Sequence, residues 1–193
     1  MGRPRIHDAS QLLDAAGAIA AAEGPAEVSM ARVARATGTP SGSVYHRFPG
    51  RAALLGELWL RTVLDFQSGF VAALKAGDPV RGCIAAGNHV ITWSRAKPDD
   101  ARVFLRGPRE FAAADWSEGL SERIAAARAE LDRALATMAT RLPELGPEAH
   151  ERVLLVCVDV PYGQVRRHLG ANGTIPPTAE TLVEECARAT LLR

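Results

Sequence analysis

The sequence has few cysteines, no long apolar run and no excess of one charge. Its 193 residues include three cysteines and 23 basic against 22 acidic side chains. A formal charge of +1 excludes a protein that acts through bulk charge, such as a histone-like protein. The longest mostly apolar stretches without charge are residues 15–22 and 82–94. Both are shorter than the roughly 18 residues that a membrane-spanning helix needs.

The cysteines and the N-terminus indicate a reducing, cytoplasmic location. Cys83, Cys157 and Cys186 are an odd number at wide spacing, and no Cys-x-x-Cys motif occurs. This argues against a disulfide framework and a structural zinc site. The N-terminus is polar and basic, without the apolar region of an export signal. We therefore expect a cytoplasmic protein with no membrane segment, no metal and no cofactor.

The motifs of common enzymes are also missing. The sequence contains no Gly-x-Ser-x-Gly, Gly-x-Gly-x-x-Gly, Gly-Lys-Ser/Thr or His-Glu-x-x-His. The cysteines have no histidine partner at a recognisable spacing. We do not expect an enzyme.

The basic residues are concentrated near the N-terminus. Residues 1–51 hold six arginines and four acidic residues, whereas residues 52–193 hold 17 basic and 18 acidic residues. The segment Ser29–Arg51 contains four arginines and no acidic residue. One local basic surface on a near-neutral protein is typical of a small nucleic-acid footprint, although an ordinary solvated surface has the same composition.

Helical periodicity dominates the chain. Alanine-rich segments carry apolar residues three and four positions apart, which predicts an all-α fold of about nine helices. Turn signals place these helices at 9–23, 29–37, 41–48, 51–75, 78–96, 98–111, 118–142, 147–169 and 178–192. Gly107-Pro108 allows a break in the sixth, and Pro161 is expected to bend the eighth. Short helices give way to long ones near residue 50, which predicts a domain boundary there.

Residues 30–49 have the spacing of a helix-turn-helix. Ala34 is the small residue where the two helices cross, and Gly38 supplies the left-handed turn four positions later. Val44, six positions further on, points back into the pair. The expected core consists of Leu13, Ala16, Ile19, Val33, Val44 and Phe48. A helix pair of a plain bundle, with Gly38 as a helix cap and Tyr45 as a core aromatic, is the structural alternative.

Several motifs at fixed spacing occur between Leu12 and Trp59. They are Ala15-Ala16 with Ile19, Gly24, Ser29, Val33-Ala34, the run Gly38–Phe48 (GTPSGSVYHRF) and Arg51. Together they resemble the N-terminal segment of the TetR family of transcriptional regulators, over about a quarter of the chain. The sequence has Arg51 where the family usually has lysine, and Ala52-Ala53 where an acidic residue often follows.

This resemblance implies a DNA-binding domain in residues 1–50 and a larger helical domain for ligand binding and dimerisation in residues 51–193. The first domain would have three helices, with the recognition helix in the major groove. The residues implied to contact DNA are Arg3, Arg5, Ser29, Thr39, Pro40, Ser41, Gly42, Ser43, Tyr45, His46 and Arg51.

The resemblance also divides these contacts by type. Ser29 would bind a phosphate through its hydroxyl and the adjacent helix N-terminus, and Tyr45 and Arg51 would bind phosphates further along. Thr39, Pro40, Ser41, Gly42 and Ser43 would lie at or near the start of the recognition helix, and His46 would face base or backbone. Arg3 and Arg5 would enter the minor groove, with a disordered tail as the alternative.

The second predicted domain carries most of the aromatic residues. A small-molecule pocket between its helices is expected among Phe66, Phe70, His89, Trp93, Phe104, Trp116 and Tyr162. The alternative for each of them is an aromatic core with satisfied polar tips. The last two helices resemble the family's dimerisation pair, with apolar faces formed by Leu154, Leu155, Val158, Tyr162, Leu182, Val183, Cys186 and Leu191, and with Gly163 permitting close approach.

These expectations combine into one function. The chain is expected to be a repressor that binds palindromic double-stranded operator DNA as a homodimer and is released by a small-molecule effector. A transcriptional activator, or a redox sensor that uses one of the cysteines, is the alternative with the same fold. A purely structural helical bundle is the alternative from another class.

Overall fold

The computed structural model describes residues 9–170 and 173–192, and every regular element in them is helical. The elements are α1 (Ala9–Glu23), α2 (Met30–Thr37), α3 (Ser41–Arg47), α4 (Arg51–Leu74), α5 (Pro79–Ala96), α6 (Pro98–Arg106), α7 (Glu118–Thr140), α8 (Ala149–Leu154), a π turn (Leu155–Asp159), α9 (Val160–Gly170) and α10 (Ala179–Leu191), with 3₁₀ turns at Pro25–Glu27, Pro108–Phe111, Ala113–Asp115 and Pro143–Glu148. The predicted all-α fold is confirmed. Arg3 and Arg5 lie outside the described residues.

The chain folds into two units of packing. The first runs to Thr62 and includes Arg102–Ile124, and the second comprises Val63–Ala101 and the chain from Ala125 onward. Consequently α4, α6 and α7 each contribute residues to both units. The boundary predicted at residue 50 separates a DNA-binding domain from a ligand-binding and dimerisation domain. It divides the chain by function and not by packing, and it stays a prediction.

In the first unit, α1, α2 and α3 surround a small apolar core. Leu12, Ala16, Val33 and Val44 have no exposed surface. Leu13 and Phe48 are also buried, whereas Ile19 is partly exposed. Except for Ile19, the core expected from the helix-turn-helix spacing is therefore present.

The turn between α2 and α3 depends on Gly38. Its φ of 65° and ψ of 21° are left-handed, a conformation that glycine adopts without steric cost. The Thr39 N–H donates to the Ala34 carbonyl at 2.9 Å and closes the end of α2. Pro40 is the N-cap of α3, and Ser41 is its first helical residue. A proline fits there because the first N–H groups of a helix have no partner within it.

In the second unit, α5 packs against α9, α10 and the π turn. Gly87 makes the contact with the π turn close. A side-chain carbon at that position would lie 2.9 Å from the Val156 carbonyl oxygen and 2.9 Å from Val183 Cγ1. Only glycine therefore fits between α5 and the π turn without moving the backbone.

The helix predicted at 147–169 contains a π turn immediately before Pro161. The Val160 N–H donates to the Leu155 carbonyl five residues earlier, and Pro161 has no N–H to offer. A proline ring crowds the preceding turn of an α-helix, and the wider π turn relieves this crowding. The helix thus holds one extra residue in a turn where the bend was expected, and the bend itself stays a prediction.

None of the described helices is both long and apolar enough to span a bilayer.

Candidate nucleic-acid interface

The outward face of α3 carries small and polar side chains. Ser41, Gly42 and Ser43 are exposed at its N-terminal end, as is Pro40 before it. Val44 is the one buried residue of this helix. A helix that buries one valine and leaves small hydroxyl groups at its start can approach the edges of bases closely.

Tyr45, His46 and Arg47 continue the same exposed surface. Tyr45 is 54% exposed, so the alternative that it is a core aromatic does not hold. A phenolic hydroxyl, an imidazole and a guanidinium on one short helix can all donate hydrogen bonds to phosphate or base acceptors. This surface supports the DNA contacts expected of Tyr45 and His46.

Thr39 differs from the other predicted contacts because its side chain is buried. It is 5% exposed, and its hydroxyl forms a hydrogen bond with the Thr37 hydroxyl, with the two oxygens 2.8 Å apart. Thr37 is also bonded to the Val33 carbonyl. A base contact from the Thr39 side chain would therefore require this threonine pair to rearrange.

Ser29 caps the N-terminus of α2. Its hydroxyl oxygen accepts a hydrogen bond from the Arg32 N–H at 3.2 Å. This leaves the hydroxyl proton available to a phosphate next to the positive end of the helix dipole. The two uses of the hydroxyl are compatible, since one accepts and the other donates.

Arg51 is partly exposed, and its guanidinium is held by two main-chain carbonyls. Its Nε donates to the Val28 carbonyl at 2.7 Å, and its Nη2 donates to the Pro25 carbonyl at 2.7 Å. The guanidinium thus fastens the start of α4 to the segment that leads into α2. A phosphate bound by this side chain would have to share it with these two bonds.

The charges of the basic segment are partly neutralised by residues outside it. Arg32 forms ion pairs with Glu23 and Glu27, both of which precede the acid-free segment. Arg35 and Arg47 are exposed and form no ion pair with any residue in the described part of the chain. Both arginines belong to the basic segment, but neither is among the residues that the family resemblance implies to contact DNA. The structure makes them candidate phosphate contacts, because they alone of the four arginines have uncommitted guanidinium groups.

The same segment matches a known family. Residues 12–58 match the model described as bacterial regulatory proteins, tetR family. The N-terminal segment of the chain is therefore similar to the tetR family. The match runs from Leu12 in α1 through α2 and α3 to Leu58 in α4.

Solved structures of transcriptional regulators share the fold over nearly the whole chain. A transcriptional regulator from Rhodococcus sp. Rha1 is 23% identical with a TM-score of 0.73, covering 95% of this chain and 96% of its own. The fatty acid degradation regulator FadR from Bacillus halodurans is 18% identical with a TM-score of 0.72, covering 100% and 98%. FadR from Bacillus subtilis, solved in complex with stearoyl-CoA, is 12% identical with a TM-score of 0.73, covering 96% and 98%. No curated protein is significantly similar to this chain.

Four of the predicted ligand residues form one cluster in the second unit. The Phe66 ring centroid lies 5.6 Å from that of Phe70, 5.5 Å from that of His89 and 5.2 Å from that of Trp93. His89 Nε2 is 3.0 Å from the Phe66 carbonyl oxygen, and Trp93 Nε1 donates to Asp65 at 2.7 Å. These rings contact one another and their polar atoms have partners, which matches the core alternative.

The other three predicted ligand residues lie elsewhere. Phe104 belongs to the first unit, where it stacks on Trp59 with ring centroids 5.8 Å apart. Trp116 belongs to the same unit and donates through Nε1 to the Phe111 carbonyl at 2.8 Å. Tyr162 lies on α9 and is partly exposed. Sequence reasoning missed Trp59, although it lies on the buried stripe of α4.

The helices expected to form the TetR-type dimer have both inward and outward apolar residues. Val183 and Leu191 are buried at 1% and 2% exposure, so they support the protomer itself. Leu155 and Leu182 are 41% and 48% exposed. A side-chain carbon at Gly163 would meet nothing within 4 Å.

The cysteines of the second unit are mostly inaccessible. Cys83 and Cys157 are fully buried, and the Cys157 thiol donates to the Cys83 carbonyl at 3.7 Å. The hydrogen bond with Cys83 and burial raise the pKa of the Cys157 thiol. A buried, protonated thiol reacts slowly with oxidants. Cys186 on α10 is partly exposed.

No described group of histidine, cysteine and acidic side chains has the arrangement of a metal site.

Proposed function

We propose that the chain is a DNA-binding transcriptional repressor that binds a pseudo-palindromic operator as a homodimer and is released by a small-molecule effector. The observation that carries this proposal is the outward face of α3. Small hydroxyl side chains at its N-terminal end are suited to base edges, and Tyr45 and Arg47 behind them are suited to phosphates.

The proposed dimer pairs the exposed apolar residues of the last helices. Leu155 and Leu182 are each more than two-fifths exposed, so both side chains are accessible to a partner helix. Gly163 is open to solvent, so a partner helix can approach its backbone. A two-fold dimer presents two recognition helices, which contact half-sites about 34–36 Å apart when the major grooves are adjacent.

Release by an effector requires a ligand that prefers the conformation unable to bind DNA. A preference of about 100-fold corresponds to about 2.7 kcal/mol. α4 is a single helix from Arg51, next to the DNA-binding segment, to Leu74 in the second unit. A tilt of this helix is a direct way for a ligand in the second unit to displace α3. The FadR complex with stearoyl-CoA is an example of this fold with a bound ligand.

Two alternatives with the same fold remain. An activator would bind DNA in the same way, and only transcription assays separate it from a repressor. A redox sensor is disfavoured at Cys83 and Cys157 by their burial, which leaves Cys186 as its candidate thiol.

DNA recognition can be tested by selecting binders from a randomised duplex library with the full chain. We expect a pseudo-palindrome to emerge. Tyr45→Phe should weaken binding to selected and random DNA equally, because a phosphate contact carries no sequence information. Ser43→Ala should change which bases are preferred. Tyr162→Phe, which removes the other tyrosine hydroxyl, is the matched control and should leave DNA affinity unchanged. Failure to enrich any sequence would contradict the proposal.

The dimer can be tested with Gly163→Arg and light scattering. The protomer has room for the new side chain, so a loss of dimers would report on the partner and not on folding. Gly119→Arg on α7 is the control, because a side-chain carbon there also meets nothing within 4 Å. A wild-type monomer at micromolar concentration, or an unchanged dimer in Gly163→Arg, would refute the proposed interface.

A further inference from the structure

A groove in the second unit is lined by none of the aromatic residues that were expected to bind ligand. It has a volume of about 370 Å³ and lies between the end of α4 and the C-terminal part of α7. This volume is near the lower limit of the roughly 300–1,000 Å³ found for small-molecule sites. The groove is therefore large enough for a compact ligand.

The floor of the groove is apolar and firmly supported. Leu74 and Met138 line it and are each 3% exposed. Behind them is Gly82 of α5, where a side-chain carbon would lie 3.0 Å from Met138 Cε and 2.5 Å from the Leu74 carbonyl oxygen. Because α5 packs directly behind Leu74 and Met138, these side chains are held in place and provide a fixed apolar contact surface for a ligand.

The rim of the groove is positively charged. Lys75, Arg133 and Arg141 line it together with a single acidic residue, Glu130. All four side chains are exposed. Over the described residues, none of the three cations forms a side-chain hydrogen bond or an ion pair. By contrast, Arg128 on the same helix pairs with Asp132.

From these observations we infer that the groove binds a small amphipathic anion, with a carboxylate or phosphate head at the cationic rim and a short apolar tail on the Leu74–Met138 floor. Three uncommitted cations against one carboxylate favour an anionic head. The limited volume favours a short tail. This inference deepens the proposed function, on which the role of the ligand as effector rests.

The site can be tested by calorimetric titration of the full chain with octanoate, octyl phosphate, 1-octanol and inorganic phosphate. We expect both amphipathic anions to bind at least ten-fold more tightly than octanol or phosphate alone. Their relative affinity distinguishes a carboxylate ligand from a phosphate ligand. Equal binding of octanoate and octanol, or no binding of either anion, would overturn the inference.

Variants locate the binding. Arg133→Glu and Arg141→Glu should each weaken octanoate binding about three- to ten-fold, as expected for exposed charge pairs. Thr137→Trp places a large side chain in the groove from an exposed position and should abolish binding. Arg128→Glu, the matched charge reversal outside the groove, should bind octanoate normally. Equal losses in Arg128→Glu and Arg133→Glu would overturn the site.

The same preparations should be assayed on the selected DNA, which separates the two proposals. Binding of DNA without any binding of octanoate refutes the groove and leaves the repressor standing. Octanoate binding with the expected variant pattern, in a chain that binds no DNA, supports the groove and refutes the repressor.

Discussion

Arg51 has two possible roles. The family resemblance implies that it contacts a DNA phosphate, whereas the structure shows it clamping the start of α4 to the segment before α2. Its Nε and Nη2 donate to the Val28 and Pro25 carbonyls, both at 2.7 Å. A hydrogen bond from a charged group contributes about 1.5–3 kcal/mol. Since the side chain is partly exposed, we take the lower value, and Arg51→Ala should cost about 3 kcal/mol in the free energy of unfolding.

Arg51→Lys restores the residue that the family usually has, and it is the informative variant. A lysine ammonium cannot reproduce the fork of a guanidinium that reaches two carbonyls. Arg51→Lys should therefore recover about half of the loss, or about 1.5 kcal/mol. For a chain of this size about 1 kcal/mol shifts Tm by 2–4 °C, so Tm should fall by about 6–12 °C in Arg51→Ala and about 3–6 °C in Arg51→Lys.

Thermal unfolding followed by circular dichroism measures the contribution of the clamp to stability. The salt dependence of DNA binding measures the contribution of a phosphate contact. A phosphate contact contributes about 0.9 to the slope of log affinity against log salt concentration. Arg47→Ala is the control, because this exposed arginine has no ion pair to lose in the described structure. It should reduce the slope by about 0.9 and leave the free energy of unfolding within about 0.5 kcal/mol. An unchanged Tm in Arg51→Ala, together with a reduced slope that Arg51→Lys restores, would refute the clamp.

Three further outcomes are expected. Gly87→Ala should destabilise the chain by about 1–3 kcal/mol in denaturant titration, because its methyl group would meet the Val156 carbonyl. Gly119→Ala is the control and should be neutral or slightly stabilising, because a side-chain carbon there meets nothing within 4 Å. Burial lowers the pKa of His89 against smaller opposing effects of the Phe66 carbonyl and Asp65, so the folded state takes up its proton less readily than the unfolded chain. The free energy of unfolding should thus fall as the pH drops below about 6.5, the pKa of histidine in the unfolded chain. This part of the pH dependence should be absent in His89→Gln. An identical pH profile in both proteins would contradict the role of His89. Gly38→Ala should lower the free energy of unfolding by about 1 kcal/mol, since an L-residue is strained at a φ of 65°, and equal stability would show that the turn can rearrange.

Local signals in the sequence were sufficient for the DNA-binding segment. The positions of Ala34, Gly38 and Val44 follow from how two short helices cross. In the structure Ala34 and Val44 are buried, and Gly38 has a left-handed backbone conformation. The ends of most helices also follow from local residues. Asp78, for example, caps α5 by accepting a hydrogen bond from the Arg81 N–H.

Contacts between distant residues could not be obtained in this way. The Arg51 clamp joins residues 23 and 26 positions apart, and no spacing rule relates a guanidinium to a particular carbonyl. The burial of Thr39 depends on a bond to Thr37 that other turn conformations would not form. The aromatic residues were identified, but periodicity cannot distinguish rings that fill a core from rings that line a cavity. The groove was missed because its cations come from two segments far apart in the sequence, at the end of α4 and in the C-terminal part of α7 with the residue after it.

The π turn at Leu155–Asp159 has a consequence for how such proteins change over generations. A π turn holds one residue more than an α-helical turn, and each residue of an α-helix advances about 100° around the axis. Because the extra residue is held within the π turn, deletion of one residue there would restore an ordinary α-helical turn and leave the residues of α9 on the faces they already occupy. Deletion of one residue from an ordinary α-helical turn would instead rotate the residues after it by about 100°. The π turn is therefore a place where one codon can be lost while Gly163 stays on the face proposed for dimerisation.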